Sequence, residues 1–440
     1  MTSVVAATAE AEAGHPARPN RYGCMFPGLA PLVTDSRLLA RAGGHGGICD
    51  AAPVPGPGGD DAAESAGWPF FGQLIAHDIT ADRSSLTSGL HRGALRNARA
   101  PKLDLEMLYS DGPVGSPFLY EIGDPAKFLL GRPAGCDVPR NQQGVALIGD
   151  PRNDSHLFAL SLHVAMLRAH NHIVDLLRDD GATDVFDQAR HLLAWHYQWI
   201  VVHDFLPRLV GLPLVEEVLA TGGRWFAPPP GQAGIPVEFS HAAFRYGHSQ
   251  IRHTYRLFRG GPELPLFPDL VGFRPVPAGR RLDLALIFDL PGHPPAQRAK
   301  RIDGRLPASL IELPEQITGT VDAHRSLAVH DLLRGESTGL PSGESVARHL
   351  GVTPLTADEH SWPHGTPLWI YILNEAQRHG GGDRLGPVGG RIVAEVLIGL
   401  LRADPASYLS SEPDWRPTLP AAAPAFGLAD LLTLGRHHDG

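Results

Sequence analysis

The sequence predicts a mainly α-helical protein with a large core. Two observations carry that prediction. Apolar residues recur at helical steps in several long segments, whereas strand-type alternation is weak and local. With 440 residues, 43% of them hydrophobic, the chain has enough apolar surface for one large domain or two to three ordinary ones.

Residues 1–62 are rich in Ala, Gly and Pro and end in PVPGPGGDD, a composition that resists regular helix and predicts an extended N-terminal arm. From Glu64 the pattern changes to WPFFGQLIAHDIT, where Phe70, Phe71, Leu74 and Ile75 suit a buried first core helix. Asp154 to Asp179 reads as a long helix, because Leu157, Leu160, Val164, Leu167, Ile173 and Leu177 share helical spacing and Gly181 supplies an end. Gln188–Leu209 reads similarly. Further helices are expected at about Val237–Leu257, Arg325–Leu333, Leu368–Arg378 and Gly389–Arg402. The Pro- and Gly-rich stretches Ala227–Pro236 and Leu290–Pro307 read as long surface connections.

Composition excludes several classes of function. A net charge of -9, from 38 Lys and Arg against 47 Asp and Glu, argues against nucleic acid or an anionic membrane as partner. Cys24, Cys49 and Cys136 lack CxxC spacing, which excludes a disulfide framework and a cysteine-rich zinc site and fits a reducing compartment. The N-terminus shows no export signal. The apolar stretch Ile392–Leu401 contains Glu395 and falls short of the roughly 20 residues that span a bilayer. A cytoplasmic protein without membrane insertion is expected.

Three places carry side chains with chemical potential. Gln73 and His77 are four apart and project from one helix face, a polar pair that needs partners inside an apolar segment. In GDPRND, Pro151 and Asp154 mark a helix entry, and Arg152 sits where a cation opposes the helix dipole. AAFRYGHSQI places His248 beside Phe244 and Tyr246. Taken singly, each has an ordinary structural reading: a satisfied core histidine, a surface ion pair, a hydrogen-bonded core imidazole.

Taken in order, they resemble the animal-type haem peroxidase superfamily (the peroxidase-cyclooxygenase superfamily), in its compact bacterial branch. The likeness runs from about Trp68 to Leu409 through GQLIAHD, GDPRND with LHVAMLRAHN, VVHDFLPRLVG, FRYGHSQI, LLRGESTGLPSG and TPLWIYIL with GGDRLGPVGGRIVAEVL. It implies His248 as proximal iron ligand, His77 as distal acid/base, Arg152 as distal cation and Gln73 as its polar neighbour. It also implies one helical catalytic domain, 63–440, with haem sandwiched between distal and proximal segments far apart in the chain. Neutral His77 would take a proton from hydrogen peroxide and return it to the departing oxygen, while Arg152 would stabilise developing negative charge.

Departures from the family pattern carry their own expectations. Where the family bonds the proximal imidazole to asparagine, LAVHDLLRG presents Asp331, which would make His248 a more electron-rich ligand; the alternative is that Asp331 pairs with Arg245, Arg334 or another cation and never faces His248. Arg245 and Arg334 are grouped with His248 and Asp331 on the cofactor side. The two carboxylates that form haem esters in mammalian members correspond to Ala76 and Ser155, so non-covalent haem b is expected, and Asp154 is one residue off the ester position. The family's calcium site corresponds to Asp78 with RAPKLDLEMLY, implying Ca2+ held by Asp78, Asp104 and Glu106 with the carbonyls of Ala100 and Lys102.

Other functions explain less. A fatty-acid dioxygenase of the same fold carries a tyrosine three residues before the proximal histidine, where this chain has Arg245, with Tyr246 offset by one. A metal-dependent phosphohydrolase would use the doublets His77-Asp78, His203-Asp204 and His330-Asp331, but leaves FRYGH and GDPRND without roles. A haem-binding sensor without turnover would not need Gln73, His77 and Arg152 together. The expected function is therefore reduction of hydrogen peroxide at haem, with one-electron oxidation of a small organic donor, aromatic or phenolic.

Overall fold

The computed structural model describes residues 22–51, 59–82, 95–131, 136–319, 325–356, 361–422 and 424–435. Among the described residues helices dominate, and the strands form four two-stranded ribbons beside a single core. The protein is mainly α and single-domain, as the periodicity predicted. Among the described residues no helix is long and apolar enough to cross a membrane.

The first core helix spans Trp68–Ile79, with Pro69 in its opening turn, where a missing N–H costs nothing. Phe70, Phe71, Leu74 and Ile75 are all at most 2% exposed, so the helix is enclosed rather than amphipathic. Beside it runs Leu157–Asp179, whose N-cap is His156: the ring Nδ1 accepts from the backbone N–H of Ala159 at 3.2 Å. Gly181, at φ 81°, ends that helix in the left-handed conformation that favours glycine.

Val185–Ile200 packs along the long helix and continues through a π-helical turn, Val201–Phe205, into Leu206–Val210, close to the expected Gln188–Leu209. Leu327–Ser337, Leu368–Gly380 and Pro387–Ala403 form where helical spacing predicted them.

Three expectations are corrected. The predicted helix Val237–Leu257 is instead a short α turn, Val237–Ser240, and a 3-10 segment, Ala243–Gln250, separated by Ala242 at φ -140°, ψ -76°. The apolar spacing is helical, but close packing sets the backbone. A Cβ on Gly72 of the first core helix would lie 3.2 Å from the Tyr246 hydroxyl, and one on Gly247 would lie 3.7 Å from Pro69. A tighter winding brings the FRYGH segment against that helix.

The extended arm also differs within its described part. Residues 1–21 and 52–58 lie outside the described residues, but Ser36–Gly43 is a helix capped by Asp35, with Leu39 and Ala42 buried. It packs on Leu327–Ser337 so closely that a Cβ on Gly43 would sit 2.6 Å from the Val329 nitrogen. Tyr22–Gly23 pairs in parallel with Ile235–Pro236, and Asp61–Ser65 pairs with Arg298–Lys300 across the expected arm boundary. Burial of one apolar face rescues a helix that composition alone does not favour. The connection Leu290–Pro307 is likewise partly internal, with Ala299, Ile302 and Leu306 fully buried.

Candidate active site

The first core helix, the 3-10 turn Pro151–Asp154 and the start of Leu157–Asp179 meet around His77. Its Nδ1 lies 2.8 Å from Asn153 Oδ1. An amide oxygen only accepts, so the imidazole proton resides on Nδ1 and Nε2 keeps a lone pair. Burial, reinforced by the Arg152 charge, pushes the His77 pKa down to about 3, which keeps the ring neutral at ordinary pH.

Arg152 is anchored by Asp150, two residues before it. The carboxylate accepts from the Arg152 backbone N–H at 3.0 Å, from Nε at 3.0 Å and from Nη2 at 2.7 Å; Nη2 also donates to the His77 carbonyl at 3.0 Å. Arg99 binds the same carboxylate at 2.8 Å. Burial opposes charge on Asp150, but the two guanidiniums outweigh it and hold the carboxyl well below the usual carboxylate range. A cation is thereby fixed against the backbone of His77 while its side chain stays partly exposed. Gln73 Oε1 lies 2.9 Å from His156 Nε2.

In a second cluster, Asp331 reaches out of Leu327–Ser337 to two partners. Its Oδ2 lies 2.6 Å from His248 Nδ1, and its Oδ1 accepts from Arg245 Nη1 at 2.7 Å. Asp331 thus faces His248 and pairs with Arg245 as well, against the alternative that it never meets His248, while Arg334 turns elsewhere and faces Asp82 at 3.4 Å. Asp331 is fully buried; burial opposes its charge, but His248 and Arg245 outweigh that and lower its pKa. With a carboxylate on Nδ1, the His248 ring carries a proton there, which leaves Nε2 as the atom that would meet a metal. His248 is partly exposed on the 3-10 segment.

These donors fit haem. One imidazole with an anionic partner has a lone pair for iron, while a neutral imidazole, a fixed cation and an amide come from the other elements. The ester positions are Ala76 and Ser155, and both oxygens of Asp154 are taken by Arg140 at 2.7 Å each, so neither position nor neighbour presents a free carboxylate. A cavity of about 740 Å³ lined by Asp303, Arg305, Tyr371 and Arg378 touches none of these residues. Donor chemistry, not cavity size, marks the site.

The expected calcium residues come together only in part. Asp78 is fully buried; its Oδ2 accepts from the Leu105 N–H at 3.1 Å and its Oδ1 receives no hydrogen bond of normal geometry. Burial and the neighbouring Asp104 charge raise its pKa, and burial raises that of Asp104 too. Glu106 is turned to Arg99 at 3.0 Å and accepts from the Ala100 N–H, and the Lys102 ammonium reaches Asp404 at 2.8 Å. Among the described residues no three His, Cys, Asp or Glu side chains gather as a metal site. The His-Asp doublets do not assemble either: His203 bonds Tyr408 at 3.1 Å, while Asp204 holds Arg208 and the Leu428 N–H.

Sequence reasoning did not find Asn153, His156, His163 or Asp150 as parts of this site. Asp150 alone had a local signal, an Asp two residues before the residue whose N–H it caps.

Known proteins resemble this chain in sequence and in fold. The animal haem peroxidase family model matches residues 91–359, more than half of the chain. The probable oxidoreductase PXDNL of Homo sapiens is 31% identical over 170 residues, 37% of this chain and 11% of that protein. The chain thus spans about a tenth of the length of such curated relatives. Peroxidase A of Dictyostelium discoideum has the same fold, with a TM-score of 0.63 and 17% identity over 90% of this chain and 88% of that one. A fatty acid alpha-dioxygenase of Oryza sativa aligns with a TM-score of 0.61 and 14% identity over 85% of this chain and 73% of that one. With its motifs in order on this fold, the chain belongs to the animal haem peroxidase family.

Proposed function

We propose that the protein is a peroxidase that binds haem b without a covalent link, reduces hydrogen peroxide and oxidises a small organic donor, aromatic or phenolic. The observation that carries this reading is the pairing of a neutral His77, its Nε2 lone pair available and Arg152 fixed against its backbone, with a His248 whose Nδ1 is bound to Asp331. Haem supplies the iron at which peroxide is reduced and the oxidising equivalents passed to the donor. His248 Nε2 would hold the iron. His77 Nε2 takes a proton from peroxide and returns it to the leaving oxygen, and the Arg152 guanidinium stabilises the negative charge that develops there. Gln73 is the polar neighbour of His77, and Arg245 keeps Asp331 ionised.

The same fold includes fatty acid alpha-dioxygenases, but the position three residues before His248 is Arg245, already committed to Asp331, which favours the peroxidase reading. The calcium part of the proposal rests on the buried Asp78, whose pKa burial and the neighbouring Asp104 charge raise, with Asp104 and the carbonyls of Ala100 and Lys102 as its further ligands and Glu106 withdrawn to Arg99. A cytoplasmic location belongs to the same proposal.

The test is the visible spectrum of protein produced with adequate haem, followed by acidified-butanone extraction. The reading predicts a Soret band, full extraction of the haem, and loss or shift of the band in His248→Ala. No haem, or an unchanged spectrum in His248→Ala, would overturn it. For calcium, chelation is expected to lower Tm in the wild type and not in Asp78→Asn; equal Tm with and without chelator would remove the ion.

A further inference from the structure

Both distal side chains, Gln73 and His77, end in groups whose usefulness depends on which atom faces the reaction. An amide presents either a donor or an acceptor, and a neutral imidazole presents one or the other from Nε2. Two hydrogen-bonded chains running from the long helix decide both.

The first chain begins at a backbone N–H. His156 Nδ1 accepts from Ala159 N–H, so its proton must sit on Nε2. That Nε2–H therefore donates to Gln73 Oε1 at 2.9 Å. With its oxygen turned to His156, the Gln73 amide directs its NH2 group, a donor, away from that ring.

The second chain passes through Asn153. Its Oδ1 faces His77 Nδ1 at 2.8 Å, and its Nδ2 faces His163 Nδ1 at 3.1 Å and Met107 Sδ at 3.5 Å. The histidine contacts alone would tolerate either orientation of the amide. The thioether breaks the symmetry, because sulfur there accepts weakly and never donates, so the NH2 side belongs toward Met107. The oxygen then faces His77, the proton stays on Nδ1 and Nε2 accepts. Asn153, His156 and His163 are all buried, which holds these assignments against competition from water.

We propose that His156 and Asn153, the latter braced by Met107 and His163, are positioning residues that set opposite hydrogen-bond polarity on the two distal side chains, Gln73 as donor and His77 as acceptor through Nε2. The polarity matches hydrogen peroxide, which offers a proton to one group and lone pairs to the other. Its use in peroxide reduction rests on the function proposed above, whereas the polarity itself belongs to the protein alone.

The test combines a spectroscopic and a kinetic readout. Histidine ring 15N shifts are recorded on the protein as isolated, in the ferrous carbonyl form where haem is bound, and the His77 signal is identified by its absence in His77→Gln. The expected result is His77 protonated on Nδ1 in the wild type, unchanged in Asn153→Asp and mixed between nitrogens in Asn153→Leu. His156→Asn retains an N-cap acceptor but cannot reach Gln73. It should keep the wild-type Tm, lower the rate constant for reaction with peroxide as much as Gln73→Ala does, and add nothing in the double variant. A wild-type His77 protonated on Nε2, or an unchanged peroxide rate in His156→Asn beside a reduced one in Gln73→Ala, overturns the proposal. If the Soret band is absent while His77 still carries its proton on Nδ1, the polarity stands and the peroxidase reading is what fails.

Discussion

Asp331 illustrates how one buried carboxylate can serve two needs. Its oxygens divide between His248 and Arg245, so the guanidinium maintains the negative charge that the imidazole then receives through its ring proton. Asp331→Asn still accepts from His248 but removes the countercharge of Arg245 in a buried site, and is expected to destabilise the protein by about 3 kcal/mol. It should also raise the iron reduction potential, because a neutral acceptor leaves the imidazole less electron-rich. Thermal unfolding and a redox titration check both; an unchanged potential would deny that Asp331 tunes His248. His77, Arg152 and His248 could be singled out in the sequence because ordered motifs mark them without knowledge of rotamers. Asn153 and His156 were not, since their roles depend on which of two side-chain atoms meets which partner across 76 and 83 residues of sequence.

At the scale of elements, apolar spacing located the long helices and failed where packing sets the backbone. Val237–Leu257 carries a helical pattern, yet close approach to the first core helix winds its center into a 3-10 segment. Ser36–Gly43 sits in a sequence rich in Ala, Gly and Pro and becomes a helix only because Leu327–Ser337 covers it. The contact is tight at Gly43, where any Cβ meets the Val329 backbone at 2.6 Å. Gly43→Ala is therefore expected to cost about 1–3 kcal/mol through overpacking. It should also loosen the helix that carries Asp331, seen as a lower Tm and faster haem loss. A variant with wild-type Tm would show that the two helices separate without cost.

For the whole molecule, the notable feature is how many histidines are held neutral inside it. Burial pushes His156, His163, His170 and His241 down to about 4 and His77 to about 3. Their folded values lie below the ordinary value of about 6.5, so the unfolded chain binds protons that the folded one refuses. The stability these groups contribute is complete above that value and falls as pH drops from about 6.5 toward 4, by about 1 kcal/mol per residue for each unit. Tm measured between pH 7 and 4.5 should fall steadily, and a flat profile would contradict their neutral burial. Fold class was readable because helical periodicity is a property of the whole chain. The shared core was less so, because ribbons such as Tyr22–Gly23 with Ile235–Pro236 join segments that carry no common local signal. The claim on which the rest depends is that His77 moves the proton of hydrogen peroxide at this site. Stopped-flow mixing of the haem-loaded protein with peroxide, beside His77→Ala at equal haem content, tests it most directly: a fast Soret change in the wild type and a rate constant lower by about 10²–10⁴-fold in the variant are predicted, whereas equal rate constants would contradict the account.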